Sequence, residues 1–235
     1  MMLNQLVRYE PVLRLVREAG GETVLEVGAG PEGLLRLLDG ERRVTAVDVA
    51  SFEGADEEGR VVADARVLPF PDESFDVVVA LDMLEHVAAE DRPRVLDELA
   101  RTARRRLVVG CPAGAAALEV DRRLARMLDR RGETYAGSWL EEHLAHGFPE
   151  RDEIVEALRR HGVVRVVPNE NLRAHELLMR GEMTRRTRPV VDLVERALEP
   201  VLHGRGRGWR SPLLALVRGL DRGAVYRTIV VADRP

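Results

Sequence analysis

Short apolar runs alternate with helical patterns along most of the chain, and this alternation restricts the fold more than any other feature. The run Val77-Val78-Val79-Ala80 has no polar residue, which is typical of a strand buried on both faces of a sheet. Strands that alternate with helices form parallel sheets, because a parallel connection needs a long crossover. The sequence therefore predicts an α/β fold. Its predicted strands cover residues 23–27, 43–47, 61–63, 75–81, 106–110 and 163–167.

Helical periodicity occupies the stretches around these strands, and the C-terminal third departs from the pattern. The predicted helices cover 3–19, 33–38, 91–104, 118–130 and 151–161. Further on we predict helix over 171–202, a basic loop over 204–208, a short helix over 213–220 and a strand over 224–232. We expect a single domain over 1–235. Its four parts are a helix at 1–20, a core at 21–168, a helical insertion at 169–222 and a final strand at 223–235.

Composition excludes several classes of protein. The chain has 235 residues, 45% of them hydrophobic, which suffices for one sizeable domain. No apolar run reaches the roughly 18 residues of a membrane span, and the charged start does not resemble a secretory signal. A single cysteine, Cys111, excludes a disulfide framework. We therefore expect a cytoplasmic protein.

The charges are unevenly distributed, and every basic residue apart from histidine is an arginine. Residues 1–172 contain 23 Arg and 33 acidic residues, whereas residues 173–235 contain 13 Arg and 7 acidic residues. The acidity of the larger part makes nucleic acid an unlikely partner. The absence of lysine excludes Schiff-base chemistry and a Walker-type phosphate loop.

A glycine loop follows the first predicted strand. Gly28 and Gly30 come directly after the apolar run, and Gly33 begins the next helix. Glycine lets the backbone approach a ligand closely, and a helix N-terminus offers free N–H groups to an anion. Taken alone, the three glycines match the dinucleotide fingerprint.

Two carboxylates end the next two strands. Asp48 stands where a carboxylate can accept hydrogen bonds from a ribose diol. Asp64 ends the third strand and is placed to accept a hydrogen bond from an adenine amino group. The loop and these carboxylates predict a cofactor that contains adenosine, and Asp48 with the glycines also suits a nicotinamide cofactor.

Three motifs carry a family resemblance. They are EVGAG at 26–30, LPFPDESFDVV at 68–78 and LEHV at 84–87. With these motifs, residues 22–111 resemble the small-molecule branch of the class I S-adenosylmethionine (SAM)-dependent methyltransferases. The resemblance implies a Rossmann-like, seven-stranded, mostly parallel sheet with an antiparallel last strand. One position departs from the family pattern, because Glu32 stands where the third glycine is usual and Gly33 follows it.

The resemblance also implies roles for individual residues around SAM. Glu26 would orient the methionine end, and Gly28, Ala29 and Gly30 would pass beneath the cofactor. Asp48 would hold the ribose. The remaining implied contacts are Val49 beside the adenine, Asp64 and Ala65 at the adenine edge, and Leu81 and Asp82 near the sulfonium.

Methyl transfer mainly requires alignment of nucleophile, methyl and sulfur, and a hydroxyl acceptor benefits from a general base. His86 is the candidate base, and a structural histidine of the LEHV turn is the alternative. A second cluster, predicted to contact substrate, contains Tyr135, Trp139, Glu142, His143 and His146. His143 and His146 are three residues apart, but no further ligand set accompanies them, so no metal site is predicted.

The insertion at 169–222 is basic and amphipathic, and it permits three interpretations. It caps the active site, forms a homodimer interface, or contacts a membrane surface peripherally through residues 184–220. We favour the cap.

The sequence thus predicts transfer of a methyl group from SAM to a small molecule or glycan, at oxygen. Two alternatives stay open. A nicotinamide-dependent oxidoreductase would share the glycine loop and Asp48, but it does not account for the run at 68–78. A non-catalytic methyltransferase-fold scaffold would use the insertion as a docking surface.

Overall fold

A computed structural model describes residues 2–30, 33–38, 40–51, 59–184, 189, 193 and 221–234. Its helices are α1 Met2–Ala19, α2 Leu34–Leu37, α3 Arg92–Thr102, α4 Gly114–Arg130, α5 Trp139–His146, α6 Arg151–Arg159 and α7 Leu172–Glu182. Its strands are β1 Thr23–Val27, β2 Arg43–Asp48, β3 Arg60–Val62, β4 Phe75–Leu81, β5 Ala103–Pro112, β6 Val163–Asn171 and β7 Val225–Asp233. A short 3₁₀ turn, Leu84–His86, follows β4.

The strands form one sheet in the order β3-β2-β1-β4-β5-β7-β6. The first five strands are parallel, and β7 lies antiparallel between β5 and β6. This is the seven-stranded, mostly parallel α/β sheet with an antiparallel last strand that the sequence predicted. The connections reverse direction between β1 and β4, and ligands of such sheets bind outside the carboxyl ends of the strands at this point.

Two apolar layers sandwich the sheet. All seven residues of β4 are buried, which explains why this strand carries no alternating polar face. On one face, Val12, Leu13 and Val16 of α1 pack against the sheet. On the other, α3 and α6 contribute Leu99 and Ile154. The loops at the carboxyl ends of the strands are thereby held by a rigid core.

The predicted elements around the core are found with shifted ends. Helix α4 begins four residues earlier than predicted, at Gly114, and α5 was not predicted as a separate helix. Within 171–202 the structure describes α7 and little beyond it. The predicted loop at 204–208 and helix at 213–220 lie outside the described residues. Of residues 184–220, the proposed membrane contact, only 184, 189 and 193 are described.

None of the helices in the described part of the chain combines the length and the apolar character that a transmembrane segment needs.

Candidate active site

The glycine loop lies at the carboxyl end of β1. Gly28 has φ +75°, and its N–H donates to the Val47 carbonyl at 2.8 Å. A Cβ at Gly28 would lie 2.3 Å from Cγ of Met83, so only glycine fits there. Gly30 has φ +58°, but a Cβ there would meet no atom within 4 Å. The loop is thus packed from below at Gly28 and open at Gly30.

Glu26 holds the loop from inside. Its Oε2 accepts a hydrogen bond of 2.5 Å from the Leu34 amide at the start of α2. A Cβ at Gly33 would lie 2.2 Å from the same oxygen. Glycine at position 33 therefore gives room to the Glu26 carboxylate. Burial raises the pKa of Glu26 to about 8, although the Leu34 hydrogen bond and Arg60 oppose the rise.

Asp48 ties the loop to the second strand. Its Oδ2 accepts a hydrogen bond from the Gly30 amide at 2.9 Å, and its Oδ1 accepts one from the Ala50 amide at 3.3 Å. Val49, the next residue, is 73% exposed. An exposed valine beside a partly buried carboxylate suits the flat face and the diol of an adenosine.

Asp64 is paired within its own turn. Arg66 donates to it from the backbone amide and from the guanidinium, with the shortest distance 2.7 Å from Nη2. Arg66 also bonds Asp91 at 2.8 Å. These hydrogen bonds from Arg66 lower the pKa of Asp64. The carboxylate that was predicted to accept from adenine is thus engaged by a neighbour, although Asp64 and Ala65 both line the cavity described below.

Asp82 occupies the end of β4 with φ +49°. Arg227 of β7 donates to it from Nε at 2.6 Å and from Nη2 at 2.8 Å, and Arg8 of α1 lies 2.6 Å away. Burial works against ionisation, but Arg227 and Arg8 prevail and lower the pKa of Asp82 to about 2. Asp82 is therefore a fixed anion near the predicted sulfonium position.

One cavity of about 810 Å³ joins these residues. On the cofactor side it is lined by Gly28, Gly30, Asp48, Val49, Asp64, Ala65 and Asp82. The same cavity is lined by His86, Glu142 and His146. Within the described part of the chain, the predicted residues Glu26, Ala29 and Leu81 are buried and do not line it.

His86 carries a carboxylate partner. Its Nδ1 lies 2.6 Å from Glu142 Oε2 of α5, and a third of its side chain is exposed. Burial and the nearby His143 lower the pKa of His86, while Glu142 opposes the shift. The imidazole is therefore oriented, largely neutral and open to the cavity, as a general base requires.

The rest of the predicted substrate cluster is arranged differently. His143 is 5% exposed, and its Nδ1 lies 2.7 Å from Asp121 Oδ2 of α4. Tyr135 and Trp139 are partly buried in an apolar cluster with α4 and α7, and the Trp139 ring contacts the His143 ring. His146 lines the cavity. The structure thus brings His86, His143 and His146 to one region and places Tyr135 and Trp139 behind it.

Three residues of this region were missed by the sequence analysis: Glu85, Asp121 and Tyr226. Glu142, which the sequence analysis placed in the substrate cluster, pairs with His86. The Tyr226 hydroxyl lies 3.0 Å from Asp121 Oδ1, and Glu85 is 1% exposed. The only signal for Glu85 was its place before His86 in the LEHV motif. Asp121 and Tyr226 are 105 residues apart in sequence, so no spacing pattern could pair them.

Known proteins are similar to parts of this chain. Residues 25–106 match the family model described as a methyltransferase domain. Among curated proteins, 27-O-demethylrifamycin SV methyltransferase of Amycolatopsis mediterranei (strain S699) is 34% identical over 148 residues. That match covers 54% of this chain and 52% of the relative, so the chain spans about half the length of the curated relative.

Solved structures share the fold at low identity. Phosphoethanolamine N-methyltransferase 2 of Haemonchus contortus matches with a TM-score of 0.55 and 17% identity, over 97% of this chain and 53% of that one. Magnesium protoporphyrin IX methyltransferase from Synechocystis PCC 6803 matches with a TM-score of 0.54 and 16% identity, over 98% and 83%. The structure described first contains S-adenosylhomocysteine (SAH) and phosphomonomethylethanolamine, and the second contains SAH. From the family match, the sheet order and the motifs together, we conclude that residues 25–106 belong to a class I SAM-dependent methyltransferase domain.

Proposed function

We propose that this chain transfers a methyl group from SAM to a hydroxyl of a small molecule or glycan. The observation that carries the proposal is the single cavity, which is lined by Asp48 and the glycine loop and also by His86 with its Glu142 partner. The candidate cofactor residues and a candidate base therefore line the same cavity.

The residues of the cofactor side fit SAM. The open space above Gly30 and the exposed side chain of Val49 leave room for the adenosine. Asp48 would accept from the ribose hydroxyls, and Asp82 would provide a negative charge near the sulfonium. When bound, SAM supplies a methyl group that is already activated by its positive sulfur.

The acceptor side is assigned to His86. Glu142 bonds Nδ1 and so directs the other ring nitrogen, Nε2, away from itself. In this arrangement Nε2 would accept the proton of the acceptor hydroxyl while the hydroxyl oxygen bonds the methyl carbon and the bond from that carbon to the SAM sulfur breaks, so that SAH would be the leaving group. Transfer at oxygen is supported by the rifamycin relative, whose name places its methyl group on an oxygen.

The test separates cofactor binding from chemistry. We expect wild-type protein to bind SAH in calorimetry and not NADH, and Asp48→Ala to weaken SAH binding at least about tenfold, since a charged acceptor is lost. We expect His86→Ala to keep SAH binding and to lower methyl transfer to hydroxylated acceptors by about 100-fold or more.

The matched control is His161→Ala, because His161 pairs with Asp97 on α3 and does not line the cavity within the described residues. Binding of NADH in place of SAH would favour the oxidoreductase alternative. SAH binding without turnover on polyketide, sugar or other hydroxylated acceptors would favour the scaffold.

A further inference from the structure

Three potential metal ligands meet beside the cavity. Glu85 and His86 lie on the 3₁₀ turn after β4, and His143 faces them from α5. One donor atom of each residue lies within 4.8 Å of the other two. His143 Nε2 is 4.0 Å from Glu85 Oε1, and both side chains are almost fully buried.

Both imidazoles are oriented by carboxylates at the same ring nitrogen. Asp121 lies 2.7 Å from Nδ1 of His143, and Glu142 lies 2.6 Å from Nδ1 of His86. Tyr226 in turn fixes Asp121 through its hydroxyl. A carboxylate at one imidazole nitrogen is the usual support of a metal-bound histidine. The arrangement leaves Nε2 of both rings for a ligand.

Glu85 has an oxygen that the described protein does not satisfy. Its Oε2 is buried and has no hydrogen-bond partner among the described residues. A buried polar atom without a partner is costly. A cation between this carboxylate and the two imidazoles would satisfy it.

The distances suit a small ion after modest side-chain movement. Zn²⁺ bonds of about 2.1 Å place two tetrahedral ligand atoms about 3.4 Å apart. The three donor atoms therefore need to approach one another by no more than about 1.4 Å, which rotation of side chains can supply.

We propose that Glu85, His86 and His143 bind a divalent transition-metal ion such as Zn²⁺. Two histidines and one carboxylate form a three-ligand set, which leaves a fourth position for water or for an oxygen of the acceptor. His86 lines the cavity, so this fourth position is reached from the acceptor side. The site is separate from Asp48 and the glycine loop.

Metal binding is tested on full-length protein without a histidine tag, after dialysis against EDTA. Titration with Zn²⁺ in a calorimeter is expected to show one equivalent bound with submicromolar Kd. Co²⁺ is expected to give visible absorption bands of a low-symmetry nitrogen and oxygen site. Neither measurement depends on a variant that folds.

Variants then assign the ligands. Glu85→Gln and His143→Ala are each expected to weaken Zn²⁺ binding at least 100-fold, while His161→Ala binds as wild type does. Retained SAH binding shows that each variant is folded. Wild-type protein that binds no ion, or variants that bind it as tightly as wild type does, would overturn the site.

The ion also has a defined effect on the proposed chemistry. An imidazole whose Nε2 binds a metal cannot take a proton there, so Zn²⁺ is expected to slow methyl transfer and EDTA to restore it. Transfer that rises with Zn²⁺ would leave the metal site standing and would contradict the role of His86 as base. The two proposals therefore fail in different experiments.

Discussion

A single buried carboxylate, Asp82, joins three distant parts of the chain. It receives Arg8 from α1 and Arg227 from β7 at the end of β4. Arg227 is itself 3% exposed and also bonds Glu170 of β6 at 2.7 Å. Removal of one partner from such a buried network leaves an unbalanced charge, which costs more than an exposed ion pair contributes.

Asp82→Asn is therefore expected to lower the free energy of unfolding at pH 7 by about 3 kcal/mol. The effect should shrink in acid. The pKa of Asp82 is lowered to about 2 in the folded protein, so its contribution is present above about pH 4 and is lost as the pH falls towards 2. Urea unfolding at pH 7 and at pH 3 measures both effects.

The control for Asp82 is Asp72→Asn, because Asp72 pairs with Arg101 on the surface and is 76% exposed. We expect the free energy of unfolding of this variant to fall by less than about 1 kcal/mol. Equal losses in the two variants, or a loss in Asp82→Asn that does not change with pH, would contradict the assignment of Asp82 as a structural anion.

At the scale of elements, sequence and structure agree most closely in the strands β1 and β4. The apolar run predicted β1 and β4 with the bounds that the structure has. Agreement is close here because the burial of each strand is already indicated by the apolar side chains of the strand itself. β6 instead continues from 167 to Asn171, where Asn169 bonds the Val7 carbonyl and Glu170 bonds Arg227. Those polar residues are stabilised by distant partners, which local periodicity does not detect.

Gly28 and Gly30 provide a matched pair for testing the loop. Both have positive φ, but only Gly28 faces a side chain, that of Met83. Gly30→Ala is expected to lower the free energy of unfolding by about 1 kcal/mol, because an alanine is strained at positive φ. Gly28→Ala should cost at least about 1 kcal/mol more, since overpacking adds to the strain.

The double variant Gly28→Ala with Met83→Gly separates the backbone cost from the clash in a thermodynamic cycle, because it removes both the Cβ and the Cγ that would crowd the new methyl group. Relief of the clash should recover part of the free energy of unfolding that Gly28→Ala loses, as measured by urea unfolding. A strictly additive double variant would show that Met83 does not constrain the loop.

At the scale of the whole molecule, the cofactor side of the cavity follows from sequence and the acceptor side does not. Asp48 and the glycines occupy strand ends, whose position is set by the sheet. The acceptor side depends on contacts such as His86 with Glu142, 56 residues away, and Tyr226 with Asp121. These contacts form only when α4, α5 and β7 pack together, so spacing alone paired His143 with His146 and missed Glu85.

The start of the insertion packs on the same acceptor-side network. His175 of α7 stacks on the Tyr226 ring with centroids 3.5 Å apart, and Glu176 bonds Arg123 of α4 at 2.7 Å. Helix α7 therefore supports the residues that orient His143. The role of 169–222 as a cap stays a prediction, because the structure describes only 169–184, 189, 193, 221 and 222 of this segment.

The cap interpretation is tested by a variant in which a flexible Gly/Ser linker of about 12 residues replaces residues 185–220. This linker is long enough to run back along the 11 residues of α7, a distance of roughly 16 Å. Helix α7 and the pairing of β6 with β7 stay in place, so cooperative unfolding and SAH affinity should persist. If the segment is a cap, methyl transfer should fall at least about tenfold, because the acceptor would lose the contacts that the cap provides. A variant with the sequence of 185–220 scrambled is the control for composition and should lose activity equally. Full activity in the linker variant would contradict the cap. If that variant also changed from dimer to monomer, the segment would be a dimer interface. If it instead lost binding to anionic vesicles, the segment would be a membrane contact.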